Sequence, residues 1–279
     1  MANRPKVPPK LKQKLIEEAG NKCANPGCAN YRTHIHHIQE WSVYKTHDGD
    51  HMIAICPSCH DEVHYGRLKI DDKTVYEWKG IKRKSTNRDQ LFIEPDYESK
   101  LFLGSIAVTG QQGVTAFELT KSNKLSYKLI DEDIFLMNLN ICNLKGEEII
   151  KVIQNHVKYK EDESIKFERR PGRFKVTTTR PLDFIPLWAI KKMLEMERPY
   201  KIENGILTII DLEVVAPGEV RAQGIWAEFD RIILITDTSL NFIVPGGHPL
   251  TLVTEGEGTS GYATLEWHGK IDSSMFGFK

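Results

Sequence analysis

Long apolar runs are missing from this sequence. No stretch approaches the roughly 18 uninterrupted apolar residues of a membrane span, and the opening "MANRPKVPPKLKQKL" has no apolar core of an export signal. The expectation is a cytoplasmic protein with no membrane among its partners. A Walker-type Gly-rich loop and a Gly-x-Ser-x-Gly elbow are also absent, which argues against ATP hydrolysis and serine-esterase chemistry. "DGD", Asp48 to Asp50, lacks the spaced acidic ligands and terminal Glu of a calcium loop. No period regular enough for a solenoid is visible. Net charge is lacking too, since 38 Lys+Arg balance 38 Asp+Glu. Cysteine is scarce, with five in 279 residues.

What is present is unevenly placed. At 40% apolar and 27% charged the chain lies in the ordinary globular range, with length enough for two modest domains. Residues 1–90 hold 16 Lys+Arg against 11 Asp+Glu, an excess of five positive charges; the remaining 22 against 27 leave five negative. The basic end is therefore the candidate for a polyanionic partner. His34, His36, His37, His47, His51, His60 and His64 crowd the same end, with only His156, His248 and His268 beyond it. Cys23, Cys28, Cys56 and Cys59 lie there as well, and Cys142 alone lies late. Without an export signal, disulfides explain four clustered thiols poorly, whereas metal binding explains them well.

Pro8 and Pro9 open a helical pattern over about 9–19, with Leu11, Leu15 and Ile16 on one face and Gly20 at its end. "NKCANPGCAN" reads as a turn-rich knuckle, "HIHHIQEW" as a short strand, "SVYKTHDGD" as a polar loop and "MIAI" as a second strand. A helix from Ser58, closed by Gly66, and another over about 72–82 complete this module. "KRKSTNRDQ", residues 82–90, is polar and aperiodic. It sets the expected organisation: a domain over 1–85, a linker over 86–95 and a β-rich domain over 96–279. The last rests on recurring short runs such as "LFLGSIAV", "KLSYKLI" and "GILTIIDLEVV", with one helix at "PLWAIKKMLEM" near 186–196. The fold class is thus α+β.

The cysteines stand at C-x4-C (Cys23, Cys28) and C-x2-C (Cys56, Cys59). Four thiolates satisfy tetrahedral Zn²⁺ and leave no open position, which is a structural site. A module this small buries too little apolar surface to be comfortable alone, and the ion supplies folding energy. The bland alternative is four buried or free thiols. His60 and His64, four apart on the expected helix, share a face; with His36 and His37 on a strand opposite, they could converge on one cation.

"HIHHI" followed by "HMIAICPSCHDEVH" resembles the HNH endonuclease signature, with 14 residues from His37 to His51 and nine from His51 to His60. The resemblance covers residues from about 10 to 82, most specifically Cys23 to His64, and does not reach the β-rich remainder. It implies a ββα-metal module that hydrolyses DNA phosphodiester bonds. His37 falls at the general base, His36 and His60 at metal-binding positions, and His64 at a further ligand position. Two departures stand out: His51 occupies the signature's Asn position, and His36 stands where an acidic residue is common. His51 could orient His37, join the metal shell or be inert. His34 shares the face of His36 and is open to ligation, an outer contact or a phosphate contact, while His47 is most simply solvated. Strand alternation would send His36 and His37 to opposite faces, so service to one site requires a twisted or distorted hairpin.

The chemistry expected of these roles is general. A neutral His37, with a reference pKa of about 6.5, can take a proton from water near neutral pH. Histidine ligands admit Mn²⁺ or Ni²⁺ at least as readily as Mg²⁺. The domain over 96–279 would recognise substrate or dock a partner protein or second subunit. Its basic stretch Lys166 to Arg180, with Arg169, Arg170, Arg173 and Lys175, either touches phosphate or is a solvated strand and turn; Cys142, His156, His248 and His268 have no partners at ligand spacing. Two function classes remain open: a metal-dependent DNA endonuclease, as in restriction or anti-phage defence, and a catalytically inactive zinc-stabilised module that binds nucleic acid or protein.

Overall fold

The structure is a computed structural model that describes residues 5–39, 41–68, 70–83, 88–194, 196, 202, 204–254, 262–269 and 273–277. The chain divides into two compact units, Met1–Thr86 and Asn87–Lys279.

In the first unit, helix α1 spans Pro9–Glu18, with Pro8 as its N-cap and Pro9 at the first helical position, where a missing N–H costs nothing. Gly20 closes it in the left-handed region at φ +72°. Strand β1, His34–His37, is shorter than the stretch "HIHHIQEW" read as a strand. The chain turns instead into a one-turn helix α2, Trp41–Tyr44, and a 3-10 turn, Gly49–His51, before strand β2, Met52–Ile55. The two strands run antiparallel, with His36 opposite Ile53 and His37 opposite Met52. Helix α3, Pro57–Tyr65, starts where the Cys56 thiol accepts the Cys59 N–H, and helix α4, Asp72–Gly80, where the Asp71 carboxylate accepts the Thr74 N–H. Ala19, Ala24, Ile38, Ile53, Ala54, Ile55 and Val75 form a core with Cys23, Cys56 and Cys59 packed into it. A core of so few apolar side chains is short of the burial that a unit of this size needs.

The second unit is mostly β. One seven-stranded sheet runs in the order Ser274–Phe276, Gly113–Thr120, Asn123–Ile130, Ile134–Cys142, Glu148–Ile153, His156–Tyr159 and Arg88–Gln90. The strands of a second sheet include Ile165–Arg170, Arg173–Thr178, Leu207–Ala216, Glu219–Ala227 and Ile232–Ile235. Trp226 of the second sheet meets Phe117 of the first edge to face at 4.9 Å, and its indole N–H donates to the Asn140 carbonyl at 3.2 Å. The one helix expected here is present at Leu187–Leu194, burying Ala189 and Met193.

One reading of this region differs from the structure. Part of the stretch expected as a linker is built into the first sheet: Arg88–Gln90 pairs with His156–Tyr159, and Leu91 and Ile93 are buried. Three residues are too few to show alternation, and their partner strand is distant in sequence. The basic stretch takes the strand-and-turn form of its two alternatives: it is a hairpin, Ile165–Arg170 with Arg173–Thr178, whose guanidinium groups are paired with carboxylates. Arg169 bonds Asp89 at 2.6 Å, Arg170 pairs with Glu213, and Arg173 takes both oxygens of Asp211 at 2.8 and 2.6 Å. Among the described residues, no helix is long and apolar enough to cross a membrane.

Candidate active site

The loop after α1 and the start of α3 bring Cys23, Cys28, Cys56 and Cys59 together, their sulfurs within 4.8 Å of one another. Cys28 Sγ and Cys56 Sγ are 3.7 Å apart, which fits the edge of about 3.8 Å expected for a tetrahedron with Zn–S of ~2.3 Å. Each sulfur also receives an N–H. Cys56 donates to Cys23 at 3.3 Å, Asn30 to Cys28 at 3.5 Å, Cys59 to Cys56 at 3.4 Å, and the Asn25 side chain to Cys59 at 3.3 Å. Such donors favour thiolates and orient them, as outer partners of a metal site do. Without a cation the group is electrostatically poor: burial pushes the Cys23 thiol up to about 11 and Cys59 higher still. Burial also opposes ionisation of Cys56, yet hydrogen bonds from the Cys59 N–H and the neighbouring thiols hold it below the ordinary value. The donor set therefore fits Zn²⁺.

The second cluster joins β1 to α3. His36 is buried, His60 half-buried and His64 exposed, and one ring nitrogen from each lies within 4.8 Å of the others. Ring centroids stand 5.1 Å apart for His36 and His60, 5.1 Å for His36 and His64, and 4.6 Å for His60 and His64. The four-residue spacing puts His60 and His64 one turn apart on the face of α3 turned to the strand. Burial, with the charge of His64 next, holds His60 below the ordinary histidine value, which favours the neutral form that binds metals. Three imidazoles can hold a divalent ion and leave positions open for other ligands, which is the pattern of a catalytic rather than a structural site.

His37 contacts the loop that follows β1. Its Nε2 lies 3.1 Å from His47 Nδ1, and its ring meets Trp41 edge to face at 5.5 Å. His36 thus meets the histidines of α3, and His37 meets His47 and Trp41 of that loop. His47 is not simply solvated: it stacks on Trp41 at 4.6 Å and places Nε2 3.0 Å from the Pro5 carbonyl. No local pattern marks it, because a loop residue that reaches back to the strand has no periodicity. His51 bonds the Tyr76 hydroxyl of α4 through Nδ1 at 2.7 Å, with Asp48 3.9 Å from Nε2, and it is outside the histidine trio. Its backbone carbonyl accepts the Ile38 N–H, which closes the hairpin just beyond His37. His34 is exposed on the His36 face, close enough that its charge bears on His60.

Residues 21–66 match the family model described as HNH endonuclease. This segment is an HNH module. It spans β1, β2 and α3 together with both cysteine pairs. HNH modules are in general nucleases that act on nucleic acid with divalent metals. Neither curated proteins nor solved structures give a match to the chain.

Proposed function

We propose that this chain is a metal-dependent DNA endonuclease, with the HNH module at 1–85 and the β-rich domain at 96–279 targeting or regulating it in restriction or anti-phage defence. The observation that carries the reading is the convergence of His36, His60 and His64 inside the HNH segment, with another imidazole, His37, next in sequence. In this reading His36, His60 and His64 hold Mg²⁺, Mn²⁺ or Ni²⁺, and the four cysteines hold Zn²⁺. The divalent ion supplies Lewis-acid stabilisation of the phosphate and the departing oxygen. His37 takes the proton of the attacking water. His51 acts on His37 from a distance: its carbonyl fixes the chain at Ile38 while its ring is braced by Tyr76. The excess of positive charge in residues 1–90 supports affinity for phosphate without reading sequence.

The test is cleavage of supercoiled plasmid by the full chain with EDTA, Mg²⁺, Mn²⁺, Ni²⁺ or Zn²⁺, beside His37→Ala. Metal-dependent nicking that disappears in the variant is the expected result. A wild type that cuts nothing with any metal, yet binds DNA as tightly as the variant, would favour the second reading, a zinc-stabilised binding module. One observation speaks for that reading: the ring at the signature's Asn position is engaged with Tyr76.

A further inference from the structure

We propose that His47 is a positioning residue that sets the tautomer of His37 and so makes His37 Nδ1 the atom that receives the proton. This rests on the reading of His37 as the base. The assignment starts at Pro5, whose carbonyl oxygen can only accept a hydrogen bond. His47 Nε2, 3.0 Å away, is therefore the donor and carries the hydrogen. A neutral imidazole has one N–H, so His47 Nδ1 is left with a lone pair and accepts. The atom facing it at 3.1 Å is His37 Nε2, which must then be the donor. His37 Nδ1 is left unprotonated. One backbone carbonyl thus dictates, through two rings, which nitrogen of the base is basic.

Trp41 holds this chain in place. Its indole stacks on His47 at 4.6 Å and 27° and meets His37 edge to face at 5.5 Å and 70°, so both rings bear on one rigid neighbour. When a water O–H bond breaks, its proton goes to His37 Nδ1, and its oxygen forms the new P–O bond as the bond to the leaving oxygen breaks. The leaving oxygen takes a proton from solvent. His37 is then an imidazolium, and its Nε2–H bond to His47 becomes charge-assisted and stronger. The interaction is thus larger after proton capture than before it, which is the condition for lowering a barrier. His47 does this without touching substrate.

Two measurements on the zinc-loaded full chain test the proposal. In ring-nitrogen NMR of histidine-labelled protein, His37 should show a protonated Nε2 and a lone pair on Nδ1, and His47→Ala should give a mixture of tautomers. In plasmid cleavage, His47→Ala should lower kcat roughly 10- to 100-fold, part of the 10²–10⁴ that a positioned base supplies, with KM and zinc content unchanged. His47→Asn, which restores an acceptor where Nδ1 stands, should recover most of the rate, whereas His47→Gln should not. That pair keeps the test valid if the alanine variant folds poorly. A wild-type His37 protonated on Nδ1, or a His47→Ala protein that turns over like the wild type, would overturn the proposal. If the wild type cleaves nothing, the nuclease reading fails, and the NMR tautomer alone decides the role of His47.

Discussion

His36 and His60 meet edge to face across the gap between β1 and α3, centroids 5.1 Å apart at 83°, and His64 stands 5.1 Å from His36 as well. His36 is 4% exposed. An imidazole buried between two others is the arrangement that the proposed cation would use.

His36→Ala and His60→Ala should each abolish the second metal site while leaving one zinc per chain. The loss of affinity should exceed the roughly 10- to 100-fold that removal of an outer partner costs. Calorimetric titration with Mn²⁺ or Ni²⁺, with zinc counted by elemental analysis, checks this; unchanged affinity in both variants would remove these residues from the ligand set.

Cys59→Ser should cost the N-terminal unit its zinc and its fold, since structural zinc sites contribute about 10–16 kcal/mol of apparent binding energy. Asn25→Ala should be milder, removing only the amide that donates to Cys59 Sγ and weakening zinc by roughly 10- to 100-fold. Competition with a chromophoric chelator ranks the three proteins. Equal zinc retention by Asn25→Ala and wild type would mean that this hydrogen bond is idle.

Arg173 is engaged by both oxygens of Asp211, which is 8% exposed. Arg173→Ala should therefore destabilise the protein by about 1–2 kcal/mol, a figure reduced for the arginine's partial exposure, and leave DNA affinity unaltered. Urea unfolding and fluorescence anisotropy measure the two quantities. A large drop in DNA affinity at constant stability would show the guanidinium to be a phosphate contact after all.

Tyr127 is buried, donates to the Val108 carbonyl at 3.3 Å, and is pushed by burial up to about 12. The unfolded chain loses this proton near pH 10 and the folded chain does not, so the unfolded state binds fewer protons between the two values. The contribution of Tyr127 to stability is fully present below about pH 10 and is lost as pH climbs toward 12. Denaturant titrations at pH 9 and 11 should show a drop that is smaller in Tyr127→Phe; equal drops would place the effect in other groups.

The HNH module was legible because its chemistry is local. Cys56, Cys59, His60 and His64 sit within nine residues, so helical spacing alone brings the last two to one face. Pro8, Pro9 and Gly20 marked α1 by backbone preference, which needs no partner. What escaped the sequence depends on distant neighbours. Arg88–Gln90 is a strand only because His156–Tyr159 lies beside it, and the basic hairpin is neutral only because Asp89, Asp211 and Glu213 arrive from elsewhere. His47 escaped for a related reason. Its significance lies in a contact ten residues back, across a loop whose path no periodicity records.

The cysteine knuckle has a consequence for how the protein matures. Cys56 caps α3 and Cys59 lies within it, so an ion held there fixes the helix in rotation as well as in position, and His60 and His64 inherit that aim. Under the proposed metal assignments assembly is ordered: zinc loads before the histidine trio receives its own ion. On that reading, starving cells of zinc would leave a freshly made chain inert however much magnesium or manganese surrounds it, and restoring zinc would arm it without new synthesis.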